Sequence, residues 1–388
     1  MESGEMNNFM KIWLCVVISL SYCYAIGKII PKGTARLLCL LPVVSLYVLL
    51  PLSLSSIHLG GTTAFFITWL GNFKLLLFAF GKGPLSPSLS FLRFLAVACL
   101  PIKILHNPPP KSHPNGLNKE IPSLKETLDS QNEEIPGPVK PNKSQKSPIN
   151  YAIKFLLLAL LLRVYDYSEF IHPTVMLVLY CAHVYFCLEI ILAMVAALAR
   201  AMLGLELEQQ FNEPYLSTSL QDFWGRRWNI MVTSILRPTV YEPVLNIGAR
   251  LVGRKWAPLP AVFGSFVVSA VMHELIFYYL GRVRPTWEIT WFFLLHGACL
   301  MAEIALKKTL RDKLRLPTAV STPLTIGFIM VTGSWLFFPQ LLRIKADERA
   351  LEEYAALGAF FKNVSALTIS TFQFQLQKPK TVSLDLFL

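Results

Sequence analysis

Charged residues are scarce in this chain. Asp, Glu, Lys and Arg make up 15% of its 388 residues, whereas soluble domains carry about 25%. Hydrophobic residues make up 54% and the mean hydropathy is +0.48, which excludes a soluble globular enzyme and general disorder. The net charge of +12 is spread between long apolar runs instead of forming basic stripes. This pattern excludes a nucleic-acid binder and is typical of the basic loops of membrane proteins.

Sequence patterns for metals, disulfides and transport are also missing. The seven cysteines lie mostly in apolar runs and form no C-x-x-C pair, which favours small core residues over a zinc site or a disulfide framework. The zinc-protease pattern H-E-x-x-H fails because Phe277 stands four residues after His273. We predict no metal and no redox cofactor. No internal repeat of the kind found in many transporters is visible.

The long apolar runs predict an all-α fold, a polytopic membrane bundle of about eight or nine transmembrane helices with additional interfacial helices. Three regions follow from composition. Residues 1–106 form an N-terminal transmembrane block, and residues 107–150 are rich in Pro, Lys and Ser and predict a disordered loop. Residues 151–388 form a C-terminal transmembrane block, in which residues 200–306 hold the candidate chemistry.

Basic residues predict the topology. One cluster around Arg254 precedes the apolar run 261–280, and a second around Lys308 follows the run 289–306. The two clusters therefore lie on one side of a helical hairpin, which the positive-inside rule predicts to be cytosolic. This topology requires that one of three apolar runs between residues 82 and 200 does not cross the membrane. The short run that begins at Tyr151 is the first suspect.

A polar stripe runs along the apolar segment 261–280. Ser265, Ser269 and His273 recur at intervals of four, so they share one helix face. An ionisable residue inside a span is a candidate functional residue because burial of its charged form is costly. Glu274 lies about 100° further around the helix, and His296 is expected at a similar depth to His273. A structural histidine bonded to a neighbouring helix is the alternative, which the sequence leaves open.

A second group of candidate residues is the motif FWGRRWN at residues 223–229. Ser219 followed by Asp222 resembles a capping box and predicts the start of a helix. In such a helix Trp224 and Trp228 share one face, with Arg226 and Arg227 directed elsewhere. Tryptophan and arginine together are also typical of a helix anchored at the headgroup level without any chemistry.

Together the two motifs resemble a known family. FWGRRWN, followed about forty residues later by Met272-His273-Glu274, is similar to the membrane-bound O-acyltransferase family, in particular its plant wax-synthase-like branch. The likeness extends over residues 12–33, 63–84 and the late apolar runs. It implies an enzyme of the endoplasmic reticulum that transfers a fatty acyl group from acyl-CoA to a sterol or a long-chain alcohol. No cofactor is implied, and acyl-CoA acts as co-substrate.

The resemblance also implies roles for individual residues. His273 falls on the family's active-site histidine and would act as general base, since a neutral imidazole can take the proton of an attacking alcohol. Asn229 falls on its conserved asparagine and would orient acyl-CoA or bind the developing oxyanion. The remaining predicted substrate contacts are Trp224, Arg226, Arg227, Trp228, Arg237, Ser269 and His296.

The sequence says less about the acceptor substrate and about the alternative functions of the protein. The family's triacylglycerol-forming members carry an acidic, tryptophan-rich motif before the asparagine, whereas this chain has Gly225-Arg226-Arg227-Trp228, which argues against diacylglycerol. Besides acyl-CoA and a sterol or long-chain alcohol, membrane lipids are the only expected partners, and nucleic acid is not expected. A lipid transporter or flippase, or a non-catalytic membrane scaffold, would share the hydropathy and the buried histidine.

Overall fold

The computed structural model describes residues 3–101, 148–204, 210–310 and 316–377. Within these ranges the chain is built from helices and contains no β-strand. The predicted all-α fold is confirmed. The predicted disordered loop at 107–150 lies outside the described residues, except that its last three residues already belong to a helix that begins at Pro148.

The described residues before residue 205 form six α-helices. They are α1 (Ser3–Ile29), α2 (Thr34–Leu49), α3 (Ile57–Ala79), α4 (Phe91–Cys99), α5 (Pro148–Val164) and α6 (Pro173–Leu203). Helix α6 has clear end signals in its sequence. The His172 side chain accepts a hydrogen bond from the Thr174 amide at its start, and Gly204 adopts a φ of 62° after its end, a conformation that glycine tolerates without strain.

Six further α-helices lie in the described ranges 210–310 and 316–377. They are α7 (Ile230–Leu236), α8 (Glu242–Leu251), α9 (Pro258–Gly281), α10 (Glu288–Leu310), α11 (Thr318–Arg343) and α12 (Ala346–Gln377). A short helical segment over residues 220–227 precedes α7.

Seven of these helices, among the described residues, are long and apolar enough to cross a membrane. They are α1, α2 with its extension to Ser53, α3, α6, α9, α10 and α11. The predicted total of eight or nine spans therefore depends on α5 and α12. Helix α5 has 17 residues, at the lower limit for a span. Helix α12 is long but less apolar.

Helix α4 is the segment that is too short to cross. Its 9 residues extend about 14 Å, less than half of a hydrocarbon core. Helix α5 instead runs antiparallel to α6, where Lys154 of α5 and Glu189 of α6 form a buried ion pair of 2.6 Å. Sequence reasoning suspected the Tyr151 run, which forms α5, of not crossing the membrane; neither α5 nor α4 is among the seven candidate spans, and α4 is much the shorter of the two. The buried Lys74 ammonium holds α4 in place by donating to the Val97 and Leu100 carbonyls at 2.6 Å each.

The bundle has two distinct ends. The basic end carries the side chains of Lys32, Arg254, Lys255 and Lys308. There the Gly33 amide donates to the Ala79 carbonyl at the end of α3, and the Lys308 ammonium donates to the Lys255 carbonyl. The opposite end joins α1, α2 and α9. There the Glu5 carboxylate accepts from Ser55, and Arg282 donates to the Pro51 and Leu54 carbonyls.

Helices α9 and α10 form an antiparallel pair at the centre of the C-terminal half. They approach closely at Gly297, where an added Cβ would lie 2.9 Å from the Cβ of Phe266. Small residues permit such contacts between membrane helices. The buried Glu274 carboxylate accepts hydrogen bonds from the Thr290 amide and hydroxyl. Glu274 thereby fastens the start of α10 to α9, and it does not contact His273, as its position on the helix predicted.

Candidate active site

One large cavity of about 2070 Å³ lies inside the bundle. Helix α9 lines it along nearly its whole length, from Pro258 through Ser265, Ser269 and His273 to Leu280. Faces of α3, α5, α6, α10, α11 and α12 and residues of the segment 214–257 complete the walls, which are mostly apolar. The predicted polar stripe therefore faces a cavity instead of a neighbouring helix. A space of this size, walled by apolar side chains, suits long apolar substrates.

Four π-helical turns surround the cavity. They are Ala64–Gly71 within α3, Phe223–Arg227, Arg237–Tyr241 and Gly333–Phe337 within α11. Each turn contributes side chains to the wall, including Trp69, Trp224, Arg237 and Phe337. The wider turn shifts the helical register by one residue, and such turns are frequent at functional sites. Apolar periodicity in the sequence gave no sign of them.

The His273 imidazole is held in a defined orientation. Its Nδ1 lies 2.7 Å from the backbone carbonyl of Ser269, and a carbonyl can only accept, so Nδ1 carries the hydrogen. In the neutral ring the lone pair therefore lies on Nε2, for which the described residues provide no hydrogen-bond partner. The ring stacks on Phe293 at 4.1 Å and meets the Trp69 ring edge-on at 4.9 Å. His273 thus presents a fixed, unoccupied base at the cavity wall.

His296, in contrast to His273, has hydrogen bonds at both ring nitrogens. The Trp224 indole donates to its Nδ1 at 3.1 Å, and its Nε2 lies 2.8 Å from the Thr332 hydroxyl. Because the indole only donates, Nδ1 is the acceptor and Nε2 carries the hydrogen. Both ring nitrogens are engaged, the residue is fully buried, and it is absent from the cavity wall. The structure therefore places His296 as a support for Trp224, away from any substrate.

We expect Thr332→Val to destabilise the protein without a direct effect on chemistry. Valine keeps the shape but removes the only acceptor for His296 Nε2–H, leaving a buried donor unpaired at a cost of about 1–3 kcal/mol. Thermal unfolding of the detergent-purified protein should show a lower midpoint than the wild type. Thr325→Val is the matched control, since the Thr325 hydroxyl bonds only the Ser321 carbonyl of its own helix. Equal midpoints for both variants would contradict the proposed hydrogen bond.

Asn229 has an unusual backbone conformation. Its φ is 40°, its ψ is 64°, and its side-chain oxygen accepts from the Val232 amide as the N-cap of α7. Asparagine tolerates the left-handed region better than most residues and is a favoured N-cap. Asn229 lines the cavity, and its side-chain amide group has no hydrogen-bond partner among the described residues. That group is available as a donor to a substrate oxygen.

The two tryptophans of the motif do not share a helix face, so that prediction is wrong. The helix does begin at Ser219, whose hydroxyl accepts from the Asp222 amide. It ends with a π turn, however, after which Trp228 is extended. Trp224 packs edge-on against Phe266, whereas Trp228 stacks on Phe223 at 5.4 Å. Both rings line the cavity, where the sequence had left a headgroup-level anchor as an alternative.

The three arginines among the predicted substrate contacts differ in their surroundings. Arg226 is exposed at the cavity and has no ion-pair partner among the described residues. Arg237 also lines the cavity and lies 3.5 Å from Glu242. Arg227 is absent from the cavity wall and is bound to Asp222 at 2.7 Å. Arg227 therefore stabilises its own turn.

Several wall residues were not predicted. Arg254 and Lys308, at the basic end of the bundle, line the cavity together with Arg226 and Arg237, although the sequence analysis used Arg254 and Lys308 only to assign topology. Trp69 and Phe293 contact the His273 ring from α3 and α10. The sequence does not reveal the contact between Trp69 and His273, because the two residues lie 204 positions apart in the chain.

A polar cluster lies at the opposite end of the cavity. His58 Nδ1 lies 2.7 Å from the Glu353 carboxylate, and the Tyr354 hydroxyl lies 2.8 Å from His58 Nε2 and 3.1 Å from His183 Nε2. His183 Nδ1 in turn lies 3.2 Å from the Tyr165 hydroxyl. The cluster ties α12 to α3 and α6, and it satisfies both nitrogens of each histidine.

Comparison with known proteins places the chain in a family. The model of the membrane-bound O-acyl transferase family matches residues 207–295, which include Asn229 and His273. Acyl-CoA–sterol O-acyltransferase 1 of Arabidopsis thaliana is 50% identical over 92% of this chain and 96% of its own length. The chain belongs to the membrane-bound O-acyltransferase family.

Two further relatives of this membrane-bound O-acyltransferase are long-chain-alcohol enzymes by name. The long-chain-alcohol O-fatty-acyltransferase of Simmondsia chinensis is 45% identical over 91% of this chain and 95% of its own length. A probable long-chain-alcohol O-fatty-acyltransferase 3 of Arabidopsis thaliana is 44% identical over 92% of this chain and 96% of its own length. The predictions of a multi-pass membrane protein and of an O-acyltransferase are confirmed.

Proposed function

We propose that this acyltransferase esterifies a hydrophobic alcohol with a fatty acyl group from acyl-CoA, and that His273 is the general base. The observation that carries the proposal is the unoccupied Nε2 of His273 on the wall of a long apolar cavity with a basic end. The relatives named as sterol and long-chain-alcohol acyltransferases support this substrate class. We favour a sterol as acceptor because the sterol enzyme shares the higher identity of the two.

The reaction needs no covalent enzyme intermediate. His273 Nε2 accepts the hydroxyl proton as the alcohol oxygen bonds to the thioester carbon, and the carbonyl π electrons move to its oxygen. The oxyanion then collapses, the carbon–sulfur bond breaks, and the CoA thiolate takes the proton from His273. Asn229, which lines the same cavity, would donate a hydrogen bond to the oxyanion, a role that side-chain amides fill in other acyl-transfer enzymes.

The dimensions of α9 fit the shape of acyl-CoA. His273 lies 15 residues after Pro258 and 8 before Gly281, so at 1.5 Å per residue it is about 22 Å from the basic end and about 12 Å from the opposite end. Acyl-CoA carries its phosphates at one end of a long pantetheine arm and its thioester at the other. Phosphates at the basic end would therefore leave the thioester deep in the cavity, near His273.

Arg226→Ala should weaken acyl-CoA binding. Arg226 is free to contact a phosphate at the cavity entrance, where a charge-assisted hydrogen bond contributes about 1.5–3 kcal/mol. We expect a KM for acyl-CoA raised roughly tenfold with little change in kcat, and a smaller dependence of KM on salt than in the wild type. Initial rates at varied acyl-CoA and ionic strength measure both effects.

Arg227→Ala is the matched control for this measurement. Since Arg227 holds Asp222 and the carbonyls of Asn212 and Glu213, its removal should lower stability and leave the salt dependence of KM unchanged. A KM effect of Arg227→Ala equal to that of Arg226→Ala would contradict the assignment of Arg226 as the phosphate contact.

We further propose that the basic end faces the cytosol and that the protein resides in the endoplasmic reticulum. The positive-inside rule supports the first statement, because the basic clusters converge at one end of the bundle. Acyl-CoA is then recruited from the cytosol, while the acceptor alcohol arrives from the membrane.

The acceptor can be decided in microsomes. Expression in a host without its own neutral-lipid ester synthesis, followed by separate feeding of a sterol and of a long-chain alcohol, should yield ester above the empty-vector level. Sterol ester as the main product supports the favoured acceptor, and wax ester as the main product replaces it. Ester from neither acceptor would overturn the proposed function.

A further inference from the structure

The start of the segment 220–227 is held by a carboxylate from a distant part of the chain. Glu303 of α10 accepts hydrogen bonds from the Leu220 amide at 2.9 Å and from the Gln221 amide at 3.4 Å. The first amides of a helix have no partner within the helix, and the Ser219 hydroxyl binds only the third of them. The first two amides of the segment therefore depend on Glu303.

The same face of α10 contacts the segment at two further points. His296 lies seven residues before Glu303, which is about two helical turns, and it accepts a hydrogen bond from the Trp224 indole. Leu300 lies between these two residues and belongs to the same buried apolar cluster as Leu220. The segment therefore rests on one face of α10, and Glu303 binds the end at which the segment begins.

The segment positions two polar groups of the cavity. Arg226 belongs to it, Asn229 follows shortly after its end, and both residues line the cavity. A helix this short is not stable alone, so its position is set by the residues on which it packs. Helix α10 also carries Phe293, which stacks on His273. Glu303 thus connects the segment to the helix that supports the base.

We propose that Glu303 is a positioning residue that fixes the segment 220–227 against α10. In this position Arg226 and Asn229 lie at the distance from His273 that the reaction requires. This inference rests on the proposed function. Loss of Glu303 would leave the base in place and displace the groups that bind acyl-CoA and the oxyanion, and a displacement of about 1 Å can cost about 10²-fold in rate.

A purely structural role of Glu303 predicts a different result. If the residue only stabilised the fold, its loss would lower the unfolding midpoint and leave the kinetics of the folded protein unchanged. Glu303 also pairs with Lys307 at 2.7 Å, but a partly exposed ion pair contributes little. Glu303→Gln removes this pair and keeps an acceptor oxygen for an amide, whereas Glu303→Met keeps the length of the side chain without any acceptor oxygen.

Glu288→Met is the matched control. Glu288 is a partly exposed carboxylate at the other end of α10, where it pairs with Arg343 at 3.0 Å and does not line the cavity. Its replacement removes an ion pair from the same helix without contact to the segment 220–227.

The test measures kcat, KM for both substrates and the unfolding midpoint of the purified wild type and the three variants, with rates taken well below every midpoint. We expect Glu303→Met to lower kcat/KM for acyl-CoA at least about tenfold and to leave the KM for the alcohol unchanged. Glu303→Gln should lie between Glu303→Met and the wild type, and Glu288→Met should keep wild-type kinetics.

Three results would overturn this inference alone. They are a kcat/KM of Glu303→Met within about twofold of the wild type, a Glu303→Gln that is no more active than Glu303→Met, and an equal rise in the KM for the alcohol. If Glu303→Met does not fold, Glu303→Gln decides, since a reduced kcat/KM for acyl-CoA supports the inference and a wild-type value overturns it. A wild type that forms no ester would overturn the proposed function, and this inference with it.

Discussion

Replacement of His273 by alanine should abolish ester formation while the protein remains folded in the membrane. General-base catalysis contributes about 10²- to 10⁴-fold. Among the described residues, the other histidines at or beside the cavity, His58, His183 and His296, have both ring nitrogens engaged and cannot replace His273. We expect a loss of at least about 100-fold in kcat. Ester formation per unit of protein, quantified by immunoblot of the same microsomes, measures it.

His172→Asn is the control for that experiment. His172 also bonds the backbone through its ring, but it caps α6 at an exposed position away from the cavity. Asparagine can provide the same cap, so activity should be unchanged. Turnover of His273→Ala within tenfold of the wild type would remove His273 from the role of base.

Loss of the Asn229 side-chain amide should have the next largest effect. Removal of a single oxyanion donor typically lowers kcat by about 10²- to 10³-fold, and we expect a loss of that size for Asn229→Asp. Aspartate tolerates the left-handed backbone and still caps α7, but its carboxylate cannot donate. The kcat of the purified variant under saturating acyl-CoA measures the effect, and the unfolding midpoint should stay near that of the wild type.

Two further variants separate the donor from the added charge. Asn229→Gly keeps the positive φ without a side chain, so it should be as inactive as Asn229→Asp if the amide is the essential group. Asn212→Asp introduces the same charge at an exposed nearby residue outside the cavity wall and should remain active. High activity of Asn229→Gly would contradict the oxyanion role.

Sequence reasoning predicted the polar stripe on α9 correctly, but it predicted the segment around Trp224 and Trp228 less well. The stripe Ser265, Ser269 and His273 was visible because a regular helix repeats every 3.6 residues, and α9 is regular along that face. The face shared by Trp224 and Trp228 was wrong because a π turn and an extended residue interrupt the period there. A single inserted residue changes every later direction on a helix, and local composition does not reveal it.

Long-range packing explains the remaining differences. His273 and His296 looked equivalent by depth, but only the tertiary structure shows that Trp224 and Thr332 engage both nitrogens of His296. Likewise, the contact between Trp69 and His273 joins two helices far apart in the chain. Helix length is a further difference, because the apolar run that begins at Leu85 contains, among its described residues, a helix of only 9 residues.

The most direct test of direct acyl transfer is the fate of a labelled acyl group. Purified wild-type protein mixed with acyl-labelled acyl-CoA should leave the label on CoA until an acceptor is added, and then release one CoA thiol for each ester formed. Covalent label on the protein before acceptor addition, for instance on Cys181 or Cys187 of the cavity wall, would contradict the account, as would thiol release without ester.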